Sequence, residues 1–225
     1  GCTNTDCAQS FNAGVDMFMA PDSWRGLYEN TLAQAQNGTI SMERLDDAVR
    51  RILRVKLASG IFEKGLPSQR MNAGDESQLG LDKHRAVARQ AVRESMVLLK
   101  NNNQTLPLDA GSKILVVVGD GANSISKASG GWTLSWQGTG HSNDEFPNGE
   151  SILEGIRQVV SEAGGQVVYS ESGEVSSPVD AVIAIYGEDP YAEFQGDREQ
   201  LDFEPNGFDV NLLAEYLSQD ILSLI

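Results

Sequence analysis

The residue types that could do chemistry are concentrated in one acidic segment, residues 186–197. It places carboxyl groups, two tyrosines and two glycines directly behind an apolar run, residues 180–185. Carboxyl groups in such a loop can transfer protons or bind hydroxyl groups. The alternative is a solvated acidic loop, because loops are polar for many reasons. The acidic residues of this segment are Glu188, Asp189, Glu193 and Asp197.

A second segment, residues 130–138, carries Trp132 and Trp136 between glycines and has few aliphatic residues. This composition indicates a loop, where a large apolar ring is not automatically needed for a core. Flat indole faces suit the C–H faces of a pyranose ring, and acidic side chains suit its hydroxyl groups. Together the two segments predict a carbohydrate site. The alternative is that both rings simply pack beneath a long loop.

A parallel sheet is the element predicted to position the acidic segment. The run 180–185 is short, continuous and partly β-branched, which is typical of a strand buried on both faces. Ligands bind beyond the carboxyl ends of such strands. The apolar run 113–119, which ends in glycine, predicts the first strand of the sheet. A helix over 149–163 and a strand over 166–169 complete this part of the chain.

The first part of the chain is predicted to be mainly helical, with helices over 24–37, 40–59 and 82–102 and a short strand over 14–19. A polar stretch with glycines, 63–80, is predicted to be a linker. One strand and two helices cannot bury a core, so this part is expected to be the tail of a larger α/β domain. Apolar residues near helical spacing predict one buried stripe on the second helix: Leu45, Val49, Ile52, Leu53, Val55 and Leu57.

Composition and charge exclude several function classes. The chain has 225 residues, 40% of them hydrophobic, and no apolar run long enough to span a bilayer. Its net charge of -15 argues against nucleic acid and favours an uncharged or cationic partner. The turn Gly119–Asn123 lacks the third glycine and the Lys-Ser or Lys-Thr pair of phosphate-binding loops, and Asp120 would repel a phosphate. No cofactor is expected.

Cys2 and Cys7 are the only two cysteines. A local disulfide, two reduced thiols and a metal site are all open readings, although no nearby histidine completes a set of metal ligands. No metal is therefore expected. His84 and His141 are expected to have ordinary surface roles.

Five segments, in this order along the chain, together resemble glycoside hydrolase family 3, the family of β-glucosidases and exo-β-glucanases. They are residues 13–21, 44–56, 94–101, 130–138 and 187–197. The likeness is greatest to two-domain bacterial and cereal exo-β-glucanases and extends to about Pro205.

The resemblance implies an α/β fold with three regions. Residues 1–62 are expected to be the C-terminal part of a (β/α)8-type barrel, 63–107 a linker and linker helix, and 108–225 the first part of an (α/β)6 sandwich, with a pocket between the domains. The family's enzymes are retaining glycosidases, which use two carboxyl groups about 5 to 5.5 Å apart. Their nucleophile lies in a Ser-Asp-Trp motif that this chain lacks. Asp22 is not assigned to it, because Asp22-Ser23-Trp24 follows the segment that the family's motif precedes.

By residue-by-residue matching, the resemblance implies that Glu193 is the acid/base. Glu188 is the alternative, because other branches of the family place their acid nearer the strand end. Burial and the charge of the nucleophile are expected to keep Glu193 protonated near neutral pH. The resemblance also implies that Trp136 is the wall of the +1 subsite and that Trp132 supports the loop. Met19 is expected at the barrel rim of the pocket. Asp197 is expected to fix the loop or to bind a sugar hydroxyl, and Asp16 to anchor a neighbouring loop.

The implied function is a retaining β-D-glucoside hydrolase that releases glucose from the non-reducing ends of β-linked gluco-oligosaccharides or from aryl β-glucosides. A periplasmic or extracellular location is expected. Because most of the barrel and the later sandwich strands are unmatched, we expect a fragment without the nucleophile and without turnover on its own. The alternative is a non-catalytic sugar-binding or truncated remnant of such an enzyme. β-Xylosidase and N-acetylhexosaminidase are neighbouring specificities, and the acidic loop argues against the latter; linkage preference and oligomeric state stay open.

Overall fold

The structure is a computed structural model that describes residues 2–111, 115–174, 178–203, 211, 214 and, for the backbone, 222–224. The chain divides into two compact units, Gly1–His84 and Arg85–Ile225. Short 3-10 turns lie between the longer elements, at Pro67–Gln69, Glu76–Gln78, Asn102–Gln104 and Asn143–Glu145. None of the described helices is both long enough and apolar enough to cross a membrane.

The first unit contains three helices: α1 (Ala8–Asn12), α2 (Trp24–Gln36) and α3 (Met42–Ala58). Its buried core joins Phe11, Ile40 and Ala48, with Phe18 and Leu45 packed around them. Helix α3 begins after Ser41, whose hydroxyl accepts the main-chain N–H of Arg44 at 3.2 Å. This cap satisfies one of the free donors at the helix start.

Arg44 connects α3 to the segment that follows α1. Its guanidinium lies 2.8 Å from the Asp16 carboxylate, and its Nε donates to the carbonyl of Phe11 at 2.8 Å. The guanidinium also stacks over the Phe11 ring. Asp16 therefore has the anchoring role that the sequence predicted for it. Near the start of the unit, Cys2 and Cys7 form a disulfide, which decides between the three open readings.

Two predictions for the first unit are wrong. Residues 14–19 form no strand, because the described residues place no partner strand beside them, and a strand needs a neighbour to satisfy its main-chain groups. The buried stripe on α3 is also narrower than predicted. Leu45 and Ile52 are half-buried, whereas four of the six apolar residues are exposed: Val49, Leu53, Val55 and Leu57.

Helix α4 (Asp82–Ser95) is shorter than the predicted helix over 82–102. After Ser95 the chain is irregular through Asn101, and Met96 and Leu99 are exposed. The Asn101 side chain accepts the N–H of Leu106 at 2.9 Å and donates to its carbonyl. At the helix end itself, the Ser95 hydroxyl donates to the carbonyl of Val92 at 3.0 Å, and local side-chain bonding of this kind competes with continuation of the helix.

The second unit contains a four-stranded parallel sheet. Its strands are β1 (Leu115–Val118), β2 (Val167–Ser170), β3 (Ala181–Ala184) and β4 (Leu222–Leu224), in the order β2-β1-β3-β4. The three predicted strands are confirmed, the first and third with shorter bounds and the second shifted by one residue. Residues 113 and 114 of the first predicted strand lie outside the described residues. Strand β4 was not predicted, because the sequence leaves the family's pattern near that end.

The second unit also contains the short helix α5 (Ile125–Ser129) and the longer α6 (Ile152–Glu162). Helix α6 packs on the sheet and agrees with the predicted helix over 149–163. A capping box begins it, in which Ser151 accepts the Glu154 N–H while the Glu154 carboxylate accepts the Ser151 N–H. One cluster of the buried core of this unit contains Ala122, Leu153, Val160 and Ala181.

The loops that follow β1 and β3 leave the same edge of the sheet and touch each other. Gly119 has a φ of 99°, and a side chain there would overlap the carbonyl of Ile185. The N–H of Gly121 donates to that carbonyl at 3.0 Å. Glycine is therefore needed at Gly119, and the close approach fixes the start of the acidic segment against the turn after β1.

Candidate active site

The tryptophan loop, residues 130–138, directly follows α5. The main-chain N–H of Trp132 donates to the main-chain carbonyl of Trp136 at 2.9 Å, and this bond closes the loop across its middle. At its end, the buried Ser126 hydroxyl donates to the carbonyl of Gly138 at 2.8 Å. Trp132 and Leu134 have φ values of 61° and 60°. The loop is therefore held by its own hydrogen bonds in a conformation that its sequence would not adopt freely.

The acid loop, residues 186–197, follows β3 and is anchored at its base by Lys127. The ammonium group lies 2.7 Å from the Asp189 carboxylate and 3.0 Å from that of Asp120, and it donates to the carbonyl of Gly187 at 2.9 Å. Burial works to lower the pKa of Lys127, but the hydrogen bonds to Asp189 and Asp120 outweigh it and raise that pKa. Lys127 therefore stays charged and joins α5 to the acid loop.

The two loops meet at Glu193. Trp136 Nε1 donates to Glu193 Oε2 at 2.7 Å, and Trp132 Nε1 donates to the same oxygen at 3.1 Å. The Gln137 side chain bonds to the acid-loop backbone, accepting from the Ala192 N–H at 2.7 Å and donating to the Glu193 carbonyl at 3.1 Å. We call this arrangement of Trp132, Trp136 and Gln137 around Glu193 the indole clamp.

The indole clamp favours the ionised form of Glu193. The hydrogen bond from Trp136 is the largest cause that lowers the pKa of Glu193, and the bond from Trp132 adds to it. The side chain is exposed. In the described chain Glu193 is therefore exposed instead of buried, and two charge-stabilising donors favour its carboxylate form. The expected rise of its pKa depends on the charge of a nucleophile that this chain lacks, so it stays a prediction.

Three aromatic rings surround the carboxylate. The Trp132 and Trp136 rings are tilted with centroids 6.1 Å apart, and the Phe194 ring meets Trp136 edge-on at 5.8 Å. Trp132 is 69% exposed and Trp136 is 46% exposed. Because large rings exposed to this degree are not serving a core, they favour the reading of an aromatic surface for a ligand over that of rings packed beneath a loop.

Glu188 has different surroundings from Glu193. It accepts the Tyr191 hydroxyl at 2.9 Å, and this bond is the main reason that the pKa of Tyr191 is raised. Glu188, Tyr191 and Asp197 line a cavity of about 980 Å³ formed largely by residues 187–203, whereas Glu193 and the two tryptophans do not line it. The main-chain N–H of Asp197 donates to the carbonyl of Phe194 at 3.3 Å, which helps to close the turn that carries Glu193.

Met19 belongs to the first unit. It is 95% exposed and lines a smaller cavity of about 290 Å³ with Cys7, Phe18 and Pro21 among others. Among the predicted residues of the second unit, the structure brings the side chains of Trp132 and Trp136 to Glu193, whereas Glu188 and Asp197 line the larger cavity beside them.

Several residues of the site were missed by sequence reasoning. Gln137 and Lys127 had no assigned role, although each ties one loop to another. The expectation of an ordinary surface role for His141 is wrong: its side chain is only 16% exposed and it bonds to Ser135 within the tryptophan loop. The sequence signal that could have pointed to Gln137 is its position directly after Trp136. His84, in contrast, is exposed.

Comparison with models of known protein families shows which family the chain belongs to. Residues 96–220 match the family model described as the glycosyl hydrolase family 3 C-terminal domain. The chain belongs to glycosyl hydrolase family 3. Residues 1–55 match the model for the N-terminal domain of the same family.

Curated relatives within family 3 include β-glucosidases from distant organisms. The chain is 34% identical over 216 residues to a lysosomal β-glucosidase of Dictyostelium discoideum, covering 88% of this chain and 26% of that protein. It is 34% identical over 174 residues to a periplasmic β-glucosidase of Salmonella typhimurium, covering 75% of this chain and 20% of that protein. The chain thus spans about a quarter of the length of these relatives.

Solved structures from family 3 resemble the chain in fold. An exo-1,3/1,4-β-glucanase from a Pseudoalteromonas species is 45% identical, with a TM-score of 0.90 over 99% of this chain and 28% of the other. A β-glucosidase from Listeria innocua, solved with glucose, is 28% identical, with a TM-score of 0.58 over 80% of this chain and 24% of the other.

Proposed function

We propose that this chain contributes the acid/base and an aromatic sugar surface to a retaining β-D-glucoside hydrolase that releases glucose from non-reducing ends. The observation that carries the proposal is the convergence of two indole N–H groups on one oxygen of Glu193, at 2.7 and 3.1 Å. The printed names of the relatives, β-glucosidases and an exo-1,3/1,4-β-glucanase, support the substrate class.

In the proposed mechanism, Glu193 first protonates the leaving oxygen and then, as a carboxylate, activates water. The indole donors favour the carboxylate, which is the form needed in the second step. For the first step, the negative charge of a nearby nucleophile would work in the opposite direction and raise the pKa of Glu193. The nucleophile comes, in this proposal, from residues outside this chain, since its motif is absent here.

The fold assignment belongs to the same proposal. Residues 1–62 correspond to the end of a (β/α)8-type barrel, 63–107 to a linker and linker helix, and 108–225 to the first part of an (α/β)6 sandwich. The parallel sheet of the second unit, flanked by α6, supports the sandwich assignment. Trp136 is proposed as the wall of the +1 subsite, Trp132 as its support, and Met19 as a residue of the pocket rim.

An oxidising compartment is also proposed, periplasmic or extracellular. The Cys2–Cys7 disulfide supports it, because such bonds persist mainly outside the reducing cytosol. One curated relative carries the word periplasmic in its name and another the word lysosomal.

The test of the proposal is a leaving-group series in the longer protein that carries this chain. We expect Glu193→Gln to lower kcat/KM about 10²- to 10⁴-fold for aryl β-glucosides with poor leaving groups, because these need a proton. For dinitrophenyl β-glucoside, whose dinitrophenolate group leaves without a proton, kcat/KM should fall far less. Glu188→Gln is the matched control and should change both substrates by a similar small factor. An equal loss across the series for Glu193→Gln would contradict the assignment.

A further inference from the structure

Three hydrogen-bonded side chains connect the tryptophan loop to the residues that follow it. His141 Nε2 lies 2.8 Å from Ser135 Oγ, and His141 Nδ1 lies 3.0 Å from Glu145 Oε1. The imidazole is mostly buried, at 16% exposure, and the edge of the Phe146 ring packs against it with centroids 6.4 Å apart. We call Ser135, His141 and Glu145 the histidine relay. It is part of the second unit, as is the indole clamp.

The hydrogen-bonding capacity of Glu145 fixes the direction of one of these two bonds. A carboxylate only accepts, so Glu145 accepts a hydrogen bond from His141 Nδ1, while His141 Nε2 and the Ser135 hydroxyl form the other bond. Glu145 is itself fixed, because its second oxygen accepts the Ser142 N–H at 2.8 Å. The hydrogen bond with His141 is the main cause that lowers the pKa of Glu145, so the acceptor stays ionised.

Ser135 transmits this order to the tryptophan loop. Its oxygen accepts the main-chain N–H of Gly138 at 3.2 Å and also hydrogen-bonds to His141 Nε2. Ser135 directly precedes Trp136, whose carbonyl accepts the main-chain N–H of Trp132. The turn from Ser135 to Gly138, which contains Trp136, is therefore tied through Ser135 to the half-buried imidazole.

We propose that His141 is a positioning residue: through Ser135 it holds Trp136 and Trp132 where both indole N–H groups reach Glu193. The proposal rests on the proposed function only for its catalytic consequence, since the hydrogen bonds themselves are measurable without turnover. The hydrogen bonds connect serine to histidine and histidine to a carboxylate, as they do in a hydrolase triad. Here, however, the Gly138 amide ties the serine oxygen into a closed loop, which favours a positioning role over a nucleophile.

The test is the NMR signal of the indole N–H groups at constant neutral pH. The chain has three tryptophans, so each resonance is assigned by a single Trp→Phe variant. In Glu193→Gln the Trp132 and Trp136 resonances lose the shift caused by a carboxylate acceptor. We expect His141→Ala to move both resonances most of the way to these positions, while Trp24 stays unchanged. His141→Gln, whose amide can accept from Ser135, should recover part of the difference.

Two further variants keep the test decisive. Ser135→Ala removes one oxygen, is expected to fold, and should reproduce the effect of His141→Ala, and the double variant should add little because both act on one connection. His84→Ala changes the one other histidine, which is exposed, and should leave all three resonances in place. Wild-type indole positions in both His141→Ala and Ser135→Ala would overturn the proposal. Because this readout does not involve turnover, that result would leave the acid/base assignment of Glu193 standing.

Discussion

At the scale of single residues, the site is organised by a few polar groups that order large aromatic ones. Glu193 has two indole donors on one oxygen, and Lys127 holds the base of the acid loop through two carboxylates and a carbonyl. Hydrogen bonds to ionised groups are shorter and stronger than neutral ones, so these contacts outweigh the cost of ordering exposed rings.

Tyr186, at the start of the acid loop, provides a test of the charges beneath the site. Burial and then the negative charge of Asp120 raise the pKa of Tyr186 to about 12. Because the raised pKa favours the neutral phenol in the folded chain, this contribution to stability is complete below the ordinary tyrosine value, about 10, and is lost as the pH rises through about 12. We expect Asp120→Asn to lower the pKa of Tyr186 but to leave it above the ordinary value, since burial remains.

Tyrosinate absorbance during an alkaline titration measures this directly, and subtraction of the Tyr186→Phe variant isolates the residue. Ordinary titration of Tyr186 in the wild-type chain would show that Asp120 and burial do not act on it as described.

At the scale of elements, the decisive contact is the one between the tryptophan loop and the acid loop. Gly131 lies at this contact, and a Cβ atom there would overlap the carbonyl of Tyr191. Gly196 meets the Tyr191 ring in the same way. Both loops therefore depend on glycines for close approach as well as for turns.

Gly131→Ala is expected to separate the loops and to lower the free energy of unfolding by about 1–3 kcal/mol, the usual cost of overpacking. The matched control is Gly155→Ala in α6, where a Cβ would meet nothing within 4 Å. That change should raise the stability by about 0.5–1 kcal/mol, because alanine loses less entropy in a helix. Urea unfolding of the two variants measures whether the free energy of unfolding falls for Gly131→Ala and rises for Gly155→Ala. A Gly131→Ala chain as stable as wild type would contradict the packing described for this contact.

Local patterns predicted elements well where short-range rules decide them. Continuous apolar runs indicated β1 and β3, and the predicted strand over 166–169 and helix over 149–163 correspond to β2 and α6. The prediction failed for residues 14–19, where a strand depends on a partner that the described chain does not place beside it. It failed for the end of α4 as well, which stops at Ser95, where the side chain bonds back to the carbonyl of Val92.

The site shows the same division. Glu193 and both tryptophans were found from residue types and resemblance, but their hydrogen bonds join residues 57 and 61 positions apart, which no local pattern encodes. The direction in which the pKa of Glu193 shifts in this chain follows from those long-range contacts. The contacts of His141 are short-range instead, to Glu145 four positions away and to Ser135 six positions away, but no sequence rule that we applied marked them.

At the scale of the whole molecule, the chain belongs to glycosyl hydrolase family 3 and spans about a quarter of the length of its curated relatives. The central proposal is that Glu193 acts with a nucleophile from residues outside this chain, since the nucleophile motif is absent here. The 225-residue chain alone is expected to give no turnover of aryl β-glucosides.

Azide rescue of the longer protein tests this claim most directly. In Glu193→Ala no carboxylate remains to activate water, but azide is already an anion and can attack the glycosyl-enzyme intermediate from the same face. We predict that azide restores turnover of dinitrophenyl β-glucoside by Glu193→Ala and yields β-glucosyl azide, whereas Glu188→Ala forms none. Formation of β-glucosyl azide by Glu188→Ala and not by Glu193→Ala would contradict the account and move the acid/base to Glu188.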